Sequence, residues 1–321
     1  MDYTTLGRTG LKVGVAGLGC GGNSKIGLGG SRDAGQSNAG SIALIHRALD
    51  LGVNFLDTAR AYGTEQVVGE AIKTVPRGSV IVSSKHQAGP EVTASALAAE
   101  IDASLRDLQT DYVDIFHLHG VRPEQYDHAL NDLAPVLLQA RDAGKIRFLG
   151  ITETSPNDHG QTMLNRAAGD GCWDVMMLGF NMMHQVARTE LLPQTMEHGI
   201  GTLIMFAVRN LFSVPGRLQE TMRELAADGR VADRLAENEY PLGFLVHPED
   251  GGAASVIDAA YRYARHEPGA DVVLFGTGRV AHLEANIASI LKPPLPAADT
   301  ARLAELFGHL QGVGLDLPGP V

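Results

Sequence analysis

The sequence predicts an α/β chain folded as a (β/α)8 TIM barrel, with an N-terminal β-hairpin closing the barrel floor. Three observations carry this. Eight short apolar, β-branched runs alternate with longer amphipathic segments. Eight strand–helix units in that order close a parallel barrel. The chain has 321 residues, enough for one large barrel, and is 44% hydrophobic, enough for a sizeable core. No repeat, low-complexity tract or linker marks a second domain.

The predicted strands run in order. They are Val15–Gly19, Asn54–Asp57, Val80–Lys85, Val113–His119, Phe148–Thr152, Val175–Leu178, Thr202–Met205 and Val272–Phe275. Helical spacing lies between them. Ile42, Ile45 and Leu49 share one face of Ser41–Leu51, and Leu97, Ile101, Leu105 and Leu108 share one face of Thr93–Leu108. Further helices are expected over Glu65–Ile72, Ala129–Ala143, Gly160–Ala168, Ala187–His198, Gly252–His266 and Val280–Leu291. Tyr3–Val13, turning at Gly7–Gly10, reads as the floor hairpin. Ala207–Gly251 is the longest irregular stretch, with one or two helices near Leu218–Ala227 and Val231–Glu237.

A doubly wound sheet is the competing architecture. Gly17-Leu18-Gly19-Cys20-Gly21-Gly22 superficially matches the glycine fingerprint of dinucleotide-binding folds. That fingerprint opens a helix. Here Asn23–Gly35 is glycine-rich and lacks apolar periodicity, so the barrel is preferred.

Thirty-seven acids against 26 bases give a formal net charge of −11. Broad nucleic-acid or anionic-membrane binding needs a basic face, so neither partner is expected. Two cysteines, Cys20 and Cys172, imply no disulfide framework. The start MDYTTLGRTG lacks the apolar run of a signal peptide, and no stretch of about 20 apolar residues is present to span a bilayer. A cytoplasmic location is expected. Nothing in the sequence determines the oligomeric state.

Functional residues of such barrels sit at the C-terminal ends of strands. Asp57 ends the second predicted strand, Lys85 the third and His119 the fourth, and Tyr62 follows Asp57 by five residues. Singly, each has a bland reading as a cap, a packed ring or a solvated charge. Jointly they make a proton-relay site. A tyrosine has a reference pKa of about 10, and a neighbouring cation and imidazole bring it toward the working range. His117 lies two residues from His119 and so faces the same side one step deeper. No matching ligand stands on an adjacent strand, and no metal site is expected.

Three segments resemble the aldo-keto reductase family. They are Asp57-Thr58-Ala59-Arg60-Ala61-Tyr62-Gly63-Thr64-Glu65, then Ser83-Ser84-Lys85, then Tyr112-Val113-Asp114-Ile115-Phe116-His117-Leu118-His119. The resemblance spans nearly the whole chain and implies one barrel domain over residues 1–321. It implies an NAD(P)(H)-dependent oxidoreductase that interconverts an aldehyde, ketone or sugar with an alcohol. Tyr62 is the implied general acid/base, Lys85 the cation that stabilises tyrosinate, Asp57 the partner that keeps Lys85 charged, and His119 the orienting imidazole.

Hydride chemistry needs a carrier, because no side chain supplies a hydride. The resemblance places a nicotinamide ring on Phe206, after the seventh strand. It places the adenosine phosphate against Gly276, Thr277, Gly278 and Arg279, with Asn286 toward the adenine. Gly21 and Gly22 join these candidate contacts at the first strand. Glycines admit close backbone approach, and a helix N-terminus favours anions. Arg279 is the candidate partner of a 2′-phosphate, which favours NADP(H) and leaves NAD(H) as the alternative, since His282 stands where many NADP-dependent relatives carry Arg. Thr152, Glu153 and Met177 stand where the family has Ser, Asn and Gln to hold the carboxamide. Thr152 keeps the hydroxyl. Glu153 as a carboxylate accepts from the amide but does not donate, and Met177 does neither well.

Two other functions fit parts of this pattern. Lys85 is a candidate Schiff-base nucleophile of an aldolase, although Asp57 argues against it by holding the amine protonated. A non-enzymatic cofactor-sensing or regulatory subunit is the third. The expected partner is a small carbonyl or alcohol. Arg122, Arg209 and Arg217 are candidates for recognising an anionic substrate group. The expected pocket walls are Asn23–Ser31, His86–Gly89, Gly120–Tyr126, Ala207–Gly251 and the tail after Gly312.

Overall fold

The computed structural model describes residues 1–29 and 38–316. Parallel strands buried on both faces read as continuous apolar runs, and each of the eight runs forms a strand within about two residues of its expected start. They are β3 (Ala16–Gly19), β4 (Phe55–Asp57), β5 (Ile81–Gln87), β6 (Val113–Val121), β7 (Ile146–Glu153), β8 (Val175–Gly179), β9 (Gly201–Met205) and β10 (Val272–Phe275). All pair in parallel, and β10 joins β3 to β9, which closes the barrel. The doubly wound alternative is thereby excluded.

The hairpin is β1 (Tyr3–Thr5) against β2 (Lys12–Gly14), with Thr4 opposite Val13. Gly10 takes a left-handed φ of 68° to turn the chain between them. Leu6, Leu11 and Val13 enter the barrel from below and pack with Phe55, Ile81, Ile115, Val175, Leu203 and Val272. A Cβ on Gly201, at the start of β9, would lie 2.6 Å from Leu6 Cγ, so that glycine lets the plug seat.

Alternation along β6 sets the site. Ile115 joins the inner cluster, while Phe116 and Leu118 join the outer cluster against the helices. His117 and His119 therefore follow Ile115 inward. Asp114 faces outward and is buried. Its Oδ2 accepts from Arg77 at 2.8 Å and from the Val82 N–H at 2.9 Å, and its Oδ1 from Arg147 at 2.8 Å. This carboxylate ties β6 to β5 and β7.

The helices follow the predicted spacing, with physical exceptions. Asn38–Asp50, Glu65–Ile72, Ala94–Leu108, Thr162–Ala168, Val256–Arg265 and Val280–Ile290 form as expected. Thr93 caps one of these by accepting from Ala96 N at 3.2 Å, and Ser255 caps another by accepting from Asp258 N at 3.1 Å. The helix expected from Ala129 starts at Tyr126 and widens over Ala129–Leu133 before Ala134–Asp142. Pro135 has no N–H to return to the preceding turn, which breaks the regular ladder there. The expected helix Ala187–His198 divides into a single turn, Val186–Arg188, and Leu191–Glu197. The stretch after β9 holds Asn210–Ser213, Arg217–Ala227 and Asp233–Glu237. Two of its helices were foreseen and the first was not. A helix over Ala297–Phe307, also not foreseen, packs Leu303 and Phe307 into the core. Among the described residues no helix is long and apolar enough to cross a membrane.

Candidate active site

The C-terminal mouth of the barrel opens into a cavity of about 1220 Å³. Small-molecule sites usually occupy roughly 300–1,000 Å³, so there is room for a dinucleotide beside a substrate. Asp57, Tyr62 and His119 line it. Lys85 lies behind them, fully buried.

The motif residues build this wall from β4 to β6. Lys85 Nζ donates to Asp57 Oδ1, to Asp57 Oδ2 and to the Thr58 carbonyl, each at 2.7 Å. An ammonium has three N–H donors, and all three are used. Burial disfavours the charged amine, yet the charge and hydrogen bonds of Asp57, with the charge of Tyr62 when ionised, outweigh it and hold the Lys85 pKa above its ordinary value. Ser83 Oγ donates to Asp57 Oδ1 at 2.9 Å. Tyr62 ends a single turn, Arg60–Tyr62, which Gly63 closes with a φ of 69°. The turn is held from below, because Arg60 bonds Glu65 at 2.5 Å, Asp107 at 2.5 Å and Glu100 at 2.9 Å. Glu65 in turn accepts from Ser84 Oγ at 2.5 Å. Glu65 and Arg60 therefore belong to the motif as its scaffold.

Lys85 Nζ stands 4.9 Å from the centre of the Tyr62 ring. The Tyr62 hydroxyl is 3.5 Å from His119 Nε2, and the two rings meet edge to face. Burial raises the Tyr62 pKa, and Lys85 draws it back only in part. This corrects the expectation that the ammonium leaves Tyr62 below its ordinary value. Burial, followed by Lys85 and His86, lowers the His119 pKa to about 3, so its ring is neutral at pH 7. His117 is fully buried beneath it, and a Cβ on Gly150 would lie 2.1 Å from His117 Nδ1. The glycine in β7 makes room for that ring.

Most of the candidate cofactor contacts share this cavity. Gly21, Gly22, Thr152, Glu153, Met177, Phe206, Gly276, Thr277, Arg279, His282 and Asn286 all line the cavity, and Gly278 does not. A Cβ on Gly21 would fall 2.4 Å from the Tyr62 ring, so Gly21 gives the tyrosine its place as well. Arg279 N donates to Thr277 Oγ1 at 3.1 Å and begins the helix Val280–Ile290. Thr152 Oγ1 accepts from Gly120 N at 2.7 Å. Glu153 Oε1 accepts from Gly179 N at 2.5 Å, Ser155 Oγ at 3.0 Å and Gln161 Nε2 at 3.2 Å. Its buried Oε2 has no partner among the described residues. Burial raises the Glu153 pKa to about 7 against the pull of those three donors. Phe206 holds a φ of 65°, a strained backbone for an aromatic residue. Its ring edge lies 3.1 Å from the position a Cβ on Gly179 would take.

Of the three arginines, Arg122 and Arg209 line the cavity. Arg217 does not, because it pairs with Glu220 at 2.7 Å and with Glu224 beside its own helix. Arg209 lies 4.9 Å from the Phe206 ring centre and donates to the Asp316 carbonyl, and its buried Nε has no partner among the described residues. Ser255, Ile257 and Tyr261 also line the cavity and were not foreseen. The expected wall reaches Ser31, and Gly30–Ser31 lies outside the described residues, as does the tail beyond Asp316. Lys85 is neither exposed to the cavity nor free of acceptors, so the aldolase reading fails on geometry.

The structure is thus a closed parallel TIM barrel with an Asp–Lys–Tyr–His cluster at its mouth. The model of the Aldo/keto reductase family matches residues 25–307, and the chain belongs to that family. It is 28% identical to the aldo-keto reductase YhdN of Bacillus subtilis (strain 168), over 89% of this chain and 87% of that one. It is also 28% identical to the L-galactose dehydrogenase of Arabidopsis thaliana, over 98% and 95%. Among solved structures, the holo form of an aldo-keto reductase from Bacillus halodurans superposes with a TM-score of 0.69 at 22% identity, covering 96% of both chains. The protein is an NAD(P)-dependent oxidoreductase.

Proposed function

We propose that the chain interconverts a small carbonyl compound and its alcohol, with Tyr62 as the general acid/base. The reading rests on one observation. The Tyr62 hydroxyl faces His119 Nε2 at 3.5 Å on the cavity wall, in front of the buried Lys85–Asp57 pair. The dinucleotide, when bound, supplies or accepts the hydride. The residues present suit it: an aromatic plane at Phe206, Glu153 Oε2 buried with no partner among the described residues, and Thr277 and Arg279 leading into the helix that carries Asn286.

In reduction the substrate oxygen lies between the Tyr62 hydroxyl and His119 Nε2. Neutral His119 donates a hydrogen bond from Nε2 and orients that oxygen. Tyr62 passes its hydroxyl proton to the oxygen as charge develops there. Lys85 keeps its proton, because Asp57 and the Thr58 carbonyl hold all three of its N–H groups. Its charge acts through space on the phenolate that Tyr62 becomes. In oxidation the same groups run in reverse. Arg279 favours a cofactor bearing a 2′-phosphate, and we assign NADP(H) as the preferred carrier.

Tyr62→Phe tests the reading. Turnover of an aldehyde panel should fall by about a hundred- to ten-thousandfold, while NADPH titrates with unchanged affinity. Full turnover by the variant would remove Tyr62 from the role.

A further inference from the structure

Phe206, the candidate platform for the nicotinamide ring, holds a φ of 65°. A strained backbone of this kind persists only where its surroundings over-determine it. The support comes from the other end of the chain. Gly179 ends β8 and has no side chain, and two apolar side chains share the space over it. A Cβ there would lie 3.1 Å from Phe206 Cδ2 and 3.2 Å from Leu315 Cδ2. The tail after Gly312 is an expected pocket wall, yet none of its described residues lines the cavity, whereas Phe206 does. Leu315 is buried and so backs the platform from outside the cavity. The next residue holds another neighbour of the ring. The Asp316 carbonyl accepts from Arg209, whose guanidinium lies 4.9 Å from the Phe206 ring centre.

The segment that brings Leu315 there is built to dock. Leu310 and Val313 are buried, and the backbone from Gln311 to Val313 is bonded residue by residue. The Gln311 carbonyl accepts from Arg230 at 2.8 Å, Gly312 N donates to His184 Nδ1 at 3.2 Å, and the Val313 carbonyl accepts from Asn181 Nδ2 at 3.2 Å. Gly312 and Gly314 take left-handed φ values of 76° and 73°. A Cβ on Gly312 would fall 2.6 Å from the His159 ring, and one on Gly314 would fall 2.8 Å from Leu211 Cδ2. Glycine alone lets the chain turn this closely against its neighbours. Asn181 and His184 follow β8, and Leu211 follows β9. The segment is thus clamped to the same two strands whose ends carry Gly179 and Phe206.

We propose that Leu310–Asp316 is a strap for the cofactor platform, with Leu315 as the positioning residue that keeps Phe206 in its left-handed backbone. The inference rests on the proposed cofactor site. It gives the end of the chain a part in dinucleotide binding from outside the cavity. With Leu315 shortened, Phe206 is free to leave its strained state, and the fraction of protein ready to bind falls.

The test is fluorescence titration of NADPH and NADH onto wild type, Leu315→Ala, Phe206→Ala and the double variant. Leu315→Ala should raise Kd about tenfold. The rise should be the same for both dinucleotides, because the platform serves the nicotinamide they share. Phe206→Ala should raise Kd at least as much. Adding Leu315→Ala to it should cost nothing further, since the support then has no platform to hold. Leu315→Met, which keeps the volume, should bind within about twofold of wild type. Equal affinity of wild type and Leu315→Ala, or additive losses in the double variant, would overturn the strap and leave the proposed function standing. Binding of neither dinucleotide by wild type would defeat the proposed function and this inference together. Hydrogen exchange of the wild type gives a check without a variant. Coupling is reciprocal, so saturating NADPH should slow exchange of the Gly312–Asp316 amides. Unchanged exchange there would count against the strap.

Discussion

The two walls of the cavity treat their charged groups differently. On the β4–β6 wall, Lys85 and Ser83 bond Asp57, and Arg60 and Ser84 bond Glu65, so that among the described residues only the imidazoles of His117 and His119 keep buried nitrogens without partners there. On the β7–β9 wall, Glu153 Oε2, Gln161 Oε1 and Arg209 Nε are buried without partners among the described residues. The first wall holds its charges by mutual pairing, and its geometry is set before any ligand arrives. The second keeps unsatisfied groups, each of which costs free energy until something supplies the missing bond. Proton transfer needs fixed geometry. Holding a removable cofactor tolerates groups that wait for it.

Breaking the paired wall should have the largest effect on stability. Lys85→Met leaves Asp57 buried beside an apolar chain, and removing one member of a buried pair costs about 3–5 kcal/mol. Denaturant unfolding should show that loss, and adding Asp57→Asn should recover part of it. An unchanged midpoint for Lys85→Met would mean the pair does not hold this wall.

The open wall should show itself in the pH dependence of folding. The Glu153 pKa is raised from 4.5 to about 7 in the folded chain. Its contribution to stability is therefore fully present below pH 4.5 and is lost as pH rises to about 7, by up to about 1.4 kcal/mol per unit. His119 has the opposite sign. Its depressed pKa adds stability that is present above pH 6.5 and is lost as pH falls toward about 3. The difference between wild type and Glu153→Gln isolates the first. Parallel stability curves for the two proteins would show that Glu153 does not titrate in this window.

The smallest expected effect lies beside the open wall, in the loop after β10. Arg279→Ala should weaken NADPH about tenfold, through a lost charge-assisted contact, and leave NADH within about twofold. Isothermal titration with both separates the cases. Equal losses for the two would remove the 2′-phosphate assignment.

Much of this was legible in the sequence, for identifiable reasons. The eight strands showed as β-branched apolar runs because a parallel barrel buries both of their faces. Asp57, Lys85 and His119 stood out because strand ends deliver side chains to one rim. The helix Ala297–Phe307 carried a signal that was passed over: Pro296 before its start, and Leu303, Leu306 and Phe307 at helical spacing. It falls after the eighth strand–helix unit, where the barrel pattern is already complete. Gln161 and Tyr261 were harder, because their places depend on how the chain returns over the mouth after its strands. Arg217 shows the converse, a cation that looked available in the sequence and is spent on its own helix. No sequence pattern reveals that Glu153 Oε2 lacks a donor, since that depends on three donors converging on the other oxygen.

The central claim is that Tyr62 supplies the proton in a reaction whose hydride comes from a bound dinucleotide. Single-turnover oxidation of NADPH already bound to the protein, started by mixing with an aldehyde panel, tests it most directly in wild type and Tyr62→Phe. The account predicts a rapid loss of the NADPH signal in wild type, and a variant that binds NADPH equally well but loses the signal at least about a hundredfold more slowly. Equal rates in the two proteins would contradict it.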